Sequence, residues 1–155
     1  MSMEVGRNCP FCRAPTPTSD EERIKQLRPW VKKKKAWAQQ QMGQMYRDGQ
    51  GVKQSYEMAK RLYEQAAQQG DANAIASLGV MYEYGEGVEQ LYERAFEYYE
   101  QAAHLGYAKA QLNLGVMYAN GQGVDKNTTK AREWWIKAAA QGDENAIANL
   151  KLMDN

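Results

Sequence analysis

The stretch LGVMYEYGEGV, Leu78 to Val88, returns as LGVMYANGQGV from Leu114 to Val124, and an earlier version, MGQMYRDGQGV, runs from Met42 to Val52. Gly43, Gly79 and Gly115 are spaced 36 residues apart. The same interval separates Met45, Met81 and Met117; Tyr46, Tyr82 and Tyr118; and Ala59, Ala95 and Ala131. The pairs Ala66–Ala67, Ala102–Ala103 and Ala138–Ala139 follow, and each unit closes on Gly70, Gly106 or Gly142. Self-similarity at one fixed period of roughly 20–50 residues is the signature of stacked structural repeats. No globular fold with a single irregular core produces it. The spacing therefore predicts units covering 36–71, 72–107 and 108–143 and a partial unit over 144–155.

Within a unit, two helices are expected. Ala74, Leu78, Met81 and Tyr82 recur at helical spacing and form one apolar stripe. Gly85 then offers a left-handed C-terminal cap, and Gly87 a second bend before Val88 turns inward. The second helix presents Ala95, Tyr99, Ala102 and Ala103 on its packing face. Gly79 stands inside the first helix, where glycine costs about 1 kcal/mol against alanine. Its recurrence predicts a neighbouring helix that crosses too closely for a side chain.

Outside the three full units the pattern fades. Residues 1–18 carry three of the four prolines, Pro10, Pro15 and Pro17, and read as an irregular tail. Residues 19–35 read as a capping helix and turn. Ser19 is its N-cap, Glu22 completes a capping box, and Ile24, Leu27 and Val31 share one face. Pro29 should end or kink that helix near Arg28. Lys33, Lys34 and Lys35 align with Gln69, Gly70 and Asp71, so the basic run reads as a solvated turn between units. At the other end, Ala146, Leu150 and Met153 match Ala110, Leu114 and Met117, with Lys151 in the glycine position.

Composition narrows the function classes. With 43% apolar and 25% charged residues the chain is globular, and its net charge of +1 creates no overall field for nucleic acid or anionic membrane. No apolar run reaches the ~20 residues of a membrane span, and MSMEVGRNC lacks the apolar core of a signal peptide, which points to an intracellular, cytoplasmic protein. The sequon at Asn127 accordingly reads as a loop. The single histidine, His104, has no nucleophile or metal partner in sequence, and the G-x-G-V loops follow helices rather than strands, unlike phosphate cradles. A non-enzymatic chain without a cofactor is expected.

The run A-x-x-x-L-G-x-M-Y-x-x-G-x-G-V at Ala74 to Val88, followed by A-x-x-x-Y at Ala95 to Tyr99 and A-A-x-x-G at Ala102 to Gly106, resembles the Sel1-like repeat, a relative of the tetratricopeptide repeat. The resemblance covers residues 36–155. It implies an all-α, right-handed solenoid of helix–loop–helix repeats whose first helices line a concave face that adaptors of the family offer to proteins and peptides. Cys9-Pro10-Phe11-Cys12-Arg13 resembles the last ligand pair of a RING-type zinc finger, the module of many ubiquitin ligases. A structural zinc needs four ligands, so Cys9 and Cys12 would be half a site, completed only from outside this chain. That resemblance implies an alternative role, a truncated ligase component whose repeats recruit substrate.

The surface for a partner follows from helical geometry. Beside each packing face runs a stripe at i, i+4, i+7, i+11: Trp37, Gln41, Gln44 and Asp48; Asn73, Ser77, Val80 and Tyr84; Lys109, Asn113, Val116 and Asn120. Amides, a hydroxyl and aromatic rings side by side suit a peptide backbone with an anchoring side chain. Trp37, Gln41, Asn73, Ser77, Tyr84, Lys109, Asn113 and Asn120 are therefore the candidate contact residues, with Ser77 and Asn113 at the centre.

Overall fold

A computed structural model describes residues 18–154. Among the described residues there are eight helices and no strand: α1 (Asp20–Lys32), α2 (Ala36–Asp48), α3 (Tyr56–Ala67), α4 (Ala72–Tyr84), α5 (Tyr92–His104), α6 (Ala108–Asn120), α7 (Thr128–Ala140) and α8 (Glu144–Met153). The first helices of the units, α2, α4, α6 and α8, each open 36 residues after the last, as do α1, α3, α5 and α7. The molecule is a right-handed α-solenoid. α2 packs on α3, α4 on α5 and α6 on α7 within units, while α1–α2, α3–α4, α5–α6 and α7–α8 join one unit to the next. Each unit is thus stabilised by its own two helices and by its immediate neighbours, as in other linear arrays.

Local chemistry sets the helix ends. Asp71 accepts from the Ala74 N–H at 2.8 Å and Asp143 from the Ala146 N–H at 2.9 Å, satisfying amides that a helix start leaves open. Asn127, expected in a loop, caps α7 by accepting from the Lys130 N–H at 2.9 Å. At the far end of α4, Gly85 adopts φ +68°, and its N–H returns to the Met81 carbonyl. Gly87 repeats that φ of +68°, and a Cβ there would strike the Tyr56 Cβ at 2.5 Å. The loop is then clasped by the Leu91 N–H on the Tyr82 carbonyl (3.0 Å) and by Gln90 Nε2 on the Glu83 carbonyl (2.7 Å). Ser55 and Asn127 make the first of these bonds, to Tyr46 and Tyr118, in the other two units.

The core is a column of small residues and aromatic rings. Ala59, Ala95 and Ala131 are fully buried, and Tyr63, Tyr99 and Trp135 occupy one equivalent position beneath the helical glycines. A Cβ on Gly79 would meet the Tyr99 ring at 2.9 Å, and one on Gly43 would meet the Tyr63 ring at 2.8 Å. On Gly115 it would collide with Trp135 Nε1 and lie 3.1 Å from the Ala131 carbonyl oxygen. The close approach expected from the glycines is therefore an aromatic ring of the partner helix, backed in two units by an alanine carbonyl. Replacing Gly79 with leucine should drive the Tyr99 ring from its slot and cost about 1–3 kcal/mol. Circular-dichroism melts read this directly, and an unchanged midpoint would contradict the slot.

Two expectations for α1 need correction. The helix continues through Pro29 to Lys32 instead of ending near Arg28. Pro29 is exposed, and the N–H it lacks would have served the carbonyl of Lys25, itself an exposed residue that water can reach. Ile24 and Leu27 are buried against α2, so packing holds the helix together across the defect. The capping box is also displaced. Ser19 Oγ accepts from the Glu22 N–H at 3.2 Å, but the Glu22 carboxylate accepts from the Thr18 N–H (2.8 Å) and hydroxyl (2.9 Å) instead of the cap residue's own amide. Those bonds lower the Glu22 pKa, the backbone bond first.

The last helix shows why its glycine is dispensable. Among the described residues no second helix covers α8, so Lys151 in the glycine position stays exposed. Between units, Phe96 meets Tyr118 edge-on with centroids 5.3 Å apart. One unit later the same positions hold Arg132 and Asp154, ion-paired at 2.5 Å in solvent. A pair of rings gives way to a pair of charges at the end of the described stack.

Candidate functional site

The polar ends of the buried rings bond to the glycine-bearing helix itself, within about one turn of the glycine. The Tyr99 hydroxyl donates to Glu83 at 2.6 Å, the Tyr63 hydroxyl to Gln44 at 3.3 Å, and Trp135 Nε1 to the Leu112 carbonyl at 3.1 Å. Burial pushes the Tyr63 phenol up to about 12 and the Tyr99 phenol above the ordinary range. Both therefore remain donors at physiological pH. Gln44 Nε2 in turn donates to Asp48 at 2.6 Å. Much of the first-helix surface in unit one is thus already occupied by internal bonds.

The predicted residues separate into two groups. Ser77 is only 7% exposed, and its hydroxyl donates back to the Asn73 carbonyl at 2.9 Å. Asn113 is half-buried and interacts with the Tyr99 hydroxyl. Trp37 lies against Trp30, with centroids 5.9 Å apart, and Gln41 is half-buried. These four face the packing between helices. Asn73, Tyr84, Lys109 and Asn120 are exposed, with Tyr84 at 66%. Asn73 and Lys109 occupy one repeat position near the starts of α4 and α6, and Tyr84 and Asn120 another at their ends. Glu83 beside Tyr84, with a smaller contribution from burial, raises that phenol as well.

Sequence reasoning missed the ties between units. Arg47 at the end of α2 holds Glu86 in the next loop through two bonds, Nε to Oε2 at 2.6 Å and Nη2 to Oε1 at 3.0 Å. Its guanidinium pKa is raised, mainly by that bond. Within the second unit, Tyr82 and Tyr98 stack with centroids 5.6 Å apart beneath Arg94, a contact that sequence reasoning also missed. An arginine and a glutamate 39 residues apart, one period plus a turn, are the only trace of the first tie in sequence.

Cys9 and Cys12 lie outside the described residues. Among the described residues no three His, Cys, Asp or Glu side chains gather as metal ligands, and no helix is long and apolar enough to cross a membrane. His104 is exposed, its Nδ1 lying 2.8 Å from the Glu100 carbonyl and its ring edge-on to Trp134. It serves as a packing residue at the surface.

Comparison with known proteins matches this geometry. A search of curated proteins returned no match. Among solved structures, the chain is similar to a protective antigen present in uropathogenic Escherichia coli strains that displays an SLR fold, at 34% identity and a TM-score of 0.77, covering 85% of this chain and 28% of that one. It is similar to a Sel1 repeat protein from Oxalobacter formigenes at 30% identity and a TM-score of 0.79, covering 85% and 54%. Helicobacter pylori cysteine rich protein B shares 26% identity and a TM-score of 0.65 over 81% of this chain and 96% of its own. The chain thus spans only part of the length of the first two. The Sel1 repeat model matches residues 38–71, 72–107 and 108–143, at the spacing of the glycine register, and the chain belongs to the Sel1 repeat family.

Proposed function

We propose that this solenoid is a non-enzymatic, intracellular scaffold that binds a protein or peptide along the concave face lined by α2, α4 and α6. The observation that carries the reading is a contrast between positions. Packing residues repeat from unit to unit, glycine under an aromatic ring and a fully buried alanine at Ala59, Ala95 and Ala131. The outward positions of the same helices do not: Asn73 and Lys109 occupy one, and Asp48, Tyr84 and Asn120 another. Such a frame holds its shape while presenting a different side chain at each step, which suits recognition of an extended partner. Exposed Tyr84 supplies the aromatic anchor, and Asn73, Lys109 and Asn120 supply polar contacts. Membership in the Sel1 repeat family, whose members generally act as protein-interaction scaffolds, supports the same reading.

The test compares the intact chain with the triple variant Tyr84→Ala/Lys109→Ala/Asn120→Ala as bait in lysate of the source cells. These side chains are exposed, so the circular-dichroism spectrum should not change. A partner held by the intact chain should be retained roughly ten-fold less by the variant, as expected when one anchor and two polar contacts are lost. Equal capture would reject the face, and capture of nothing by either would reject the scaffold.

A further inference from the structure

At the junction of α1 with the first full unit lies a cleft of about 630 Å³, with Val31, Lys32 and Lys34 on one side and Gln39, Gln65 and Gln69 on the other. We propose that it is a second recognition site, separate from the first-helix face, for an extended acidic peptide segment of a partner protein.

The repeat itself shows which features of this junction the fold does not require. Lys34 occupies the position of Gly70, Gly106 and Gly142, and it adopts the same left-handed turn: φ +55° against +82°, +87° and +87°. The backbone bonds are the same as well, with the Lys34 N–H on the Val31 carbonyl where the Gly70 N–H meets that of Ala67. Three units make this turn with glycine, the residue that adopts it without strain. The fourth places a lysine there, with another at Lys32, where the later junctions have Gln68, His104 and Ala140. None of the ion pairs among the described residues involves Lys32 or Lys34. The junction therefore holds two unneutralised cations at one edge of a cleft, one of them in a backbone conformation that disfavours side chains.

The opposite wall selects a peptide over other anions. Gln69 Nε2 donates to Gln39 Oε1 at 2.7 Å, and Gln39 Nε2 donates to Gln65 Oε1 at 3.0 Å. Gln39 is buried and bonded through both its amide nitrogen and its amide oxygen, and Gln69 Nε2 also donates to the Gln65 carbonyl at 3.1 Å, which fixes the three together. This relay leaves donors on Gln65 Nε2 and an acceptor on Gln69 Oε1 at its two ends. A peptide backbone needs both a donor and an acceptor from its receptor, whereas a phosphodiester chain presents acceptors alone. No aromatic ring lines the cleft to stack a base, and Trp30 nearby is covered by Trp37 and by Lys33 Nζ at 5.1 Å. Acidic side chains on the lysines and backbone amides on the glutamines satisfy both walls together. At the next junction Ile75 and Leu105 replace Gln39 and Gln69; at the one after, Gln141 Nε2 again donates to Gln111 Oε1 at 2.8 Å, but Lys137 stands where Gln65 does, so the third glutamine of the relay is absent.

Fluorescence anisotropy with the full chain tests the site, using a labelled peptide of alternating glutamate and glycine, a lysine–glycine peptide of equal length and an oligothymidylate of matched charge. The Lys32→Gln/Lys34→Gly variant removes both cations, and the second change keeps the left-handed turn, so folding should be retained. A Gln65→Met variant removes the free donor alone. The acidic peptide should bind, the lysine variant should weaken it about ten-fold at 0.1 M salt, and the glutamine variant should weaken it about three-fold at unchanged salt dependence. No binding of the acidic peptide, or binding untouched by either variant, would overturn the proposal. Oligothymidylate bound as tightly as the peptide would overturn it too, by making the junction a nucleic-acid patch.

Discussion

Tyr99→Ala should destabilise the solenoid by about 3–5 kcal/mol, the range for removing a fully buried aromatic side chain. Tyr99 has no exposed surface, its ring fills the slot above Gly79, and its hydroxyl reaches Glu83 at 2.6 Å. The wall facing the ring is a glycine, and the flanking positions Ala95, Ala102 and Ala103 are short. Urea unfolding followed by circular dichroism measures the loss, and Tyr99→Phe serves as control, since it removes only a hydrogen bond worth about 1 kcal/mol. The slot also predicts coupling. Tyr99→Leu makes room for a methyl group at position 79, so Gly79→Ala should cost less in that background than alone, by roughly 0.5–3 kcal/mol. Strict additivity would show that ring and glycine do not fit one another as the geometry requires.

The slot explains why so much of the fold was readable before any coordinate. A glycine inside a helix is costly, so its return every 36 residues marks a contact that each unit must make. The Gly85 cap followed from the same register, and even the Lys34 turn was visible as a lysine aligned with Gly70, whereas the N-caps Asp71, Asn127 and Asp143 went unread. What a single helix cannot show is how its neighbours divide its surface. The stripe from Asn73 to Tyr84 is continuous in sequence, yet its interior is claimed by packing. Tyr63 from the preceding unit reaches Ser77, and Tyr99 from the same unit reaches Asn113 in the next. Only the ends of the stripe, at Asn73 and Tyr84, stay exposed. Periodicity gives the direction a residue faces, whereas the lateral reach of a ring from another unit depends on the three-dimensional stacking. Pro29 illustrates the complementary error: the local rule against proline is correct for an isolated helix, and burial of Ile24 and Leu27 outweighs it here.

The buried phenols also make the stability of the solenoid fall in alkali in a predictable way. Burial raises the pKa of Tyr63 to about 12 and raises that of Tyr99 as well, while in the unfolded chain both return to about 10. Below the unfolded value both states hold the protons, and the contribution of the two groups is complete. Above it the unfolded chain releases protons that the native state retains, so stability declines with rising pH by about 1.4 kcal/mol per unit for each tyrosine. The Tyr63 share is exhausted once the pH passes its native value, and the Tyr99 share continues to fall. From pH 10 to 12 the two together should remove roughly 4 kcal/mol. The Tyr63→Phe/Tyr99→Phe double variant isolates this loss from that of every other titrating group. At neutral pH the variant should be less stable by about 2 kcal/mol, because two hydrogen bonds are gone. Between pH 10 and 12 it should become the more stable of the two, since it has no buried phenol to ionise. Urea midpoints across that range read the crossing. Curves that remain parallel would mean that the hydroxyls ionise as readily in the folded chain as in water, which their contacts with Gln44 and Glu83 inside the stack do not permit.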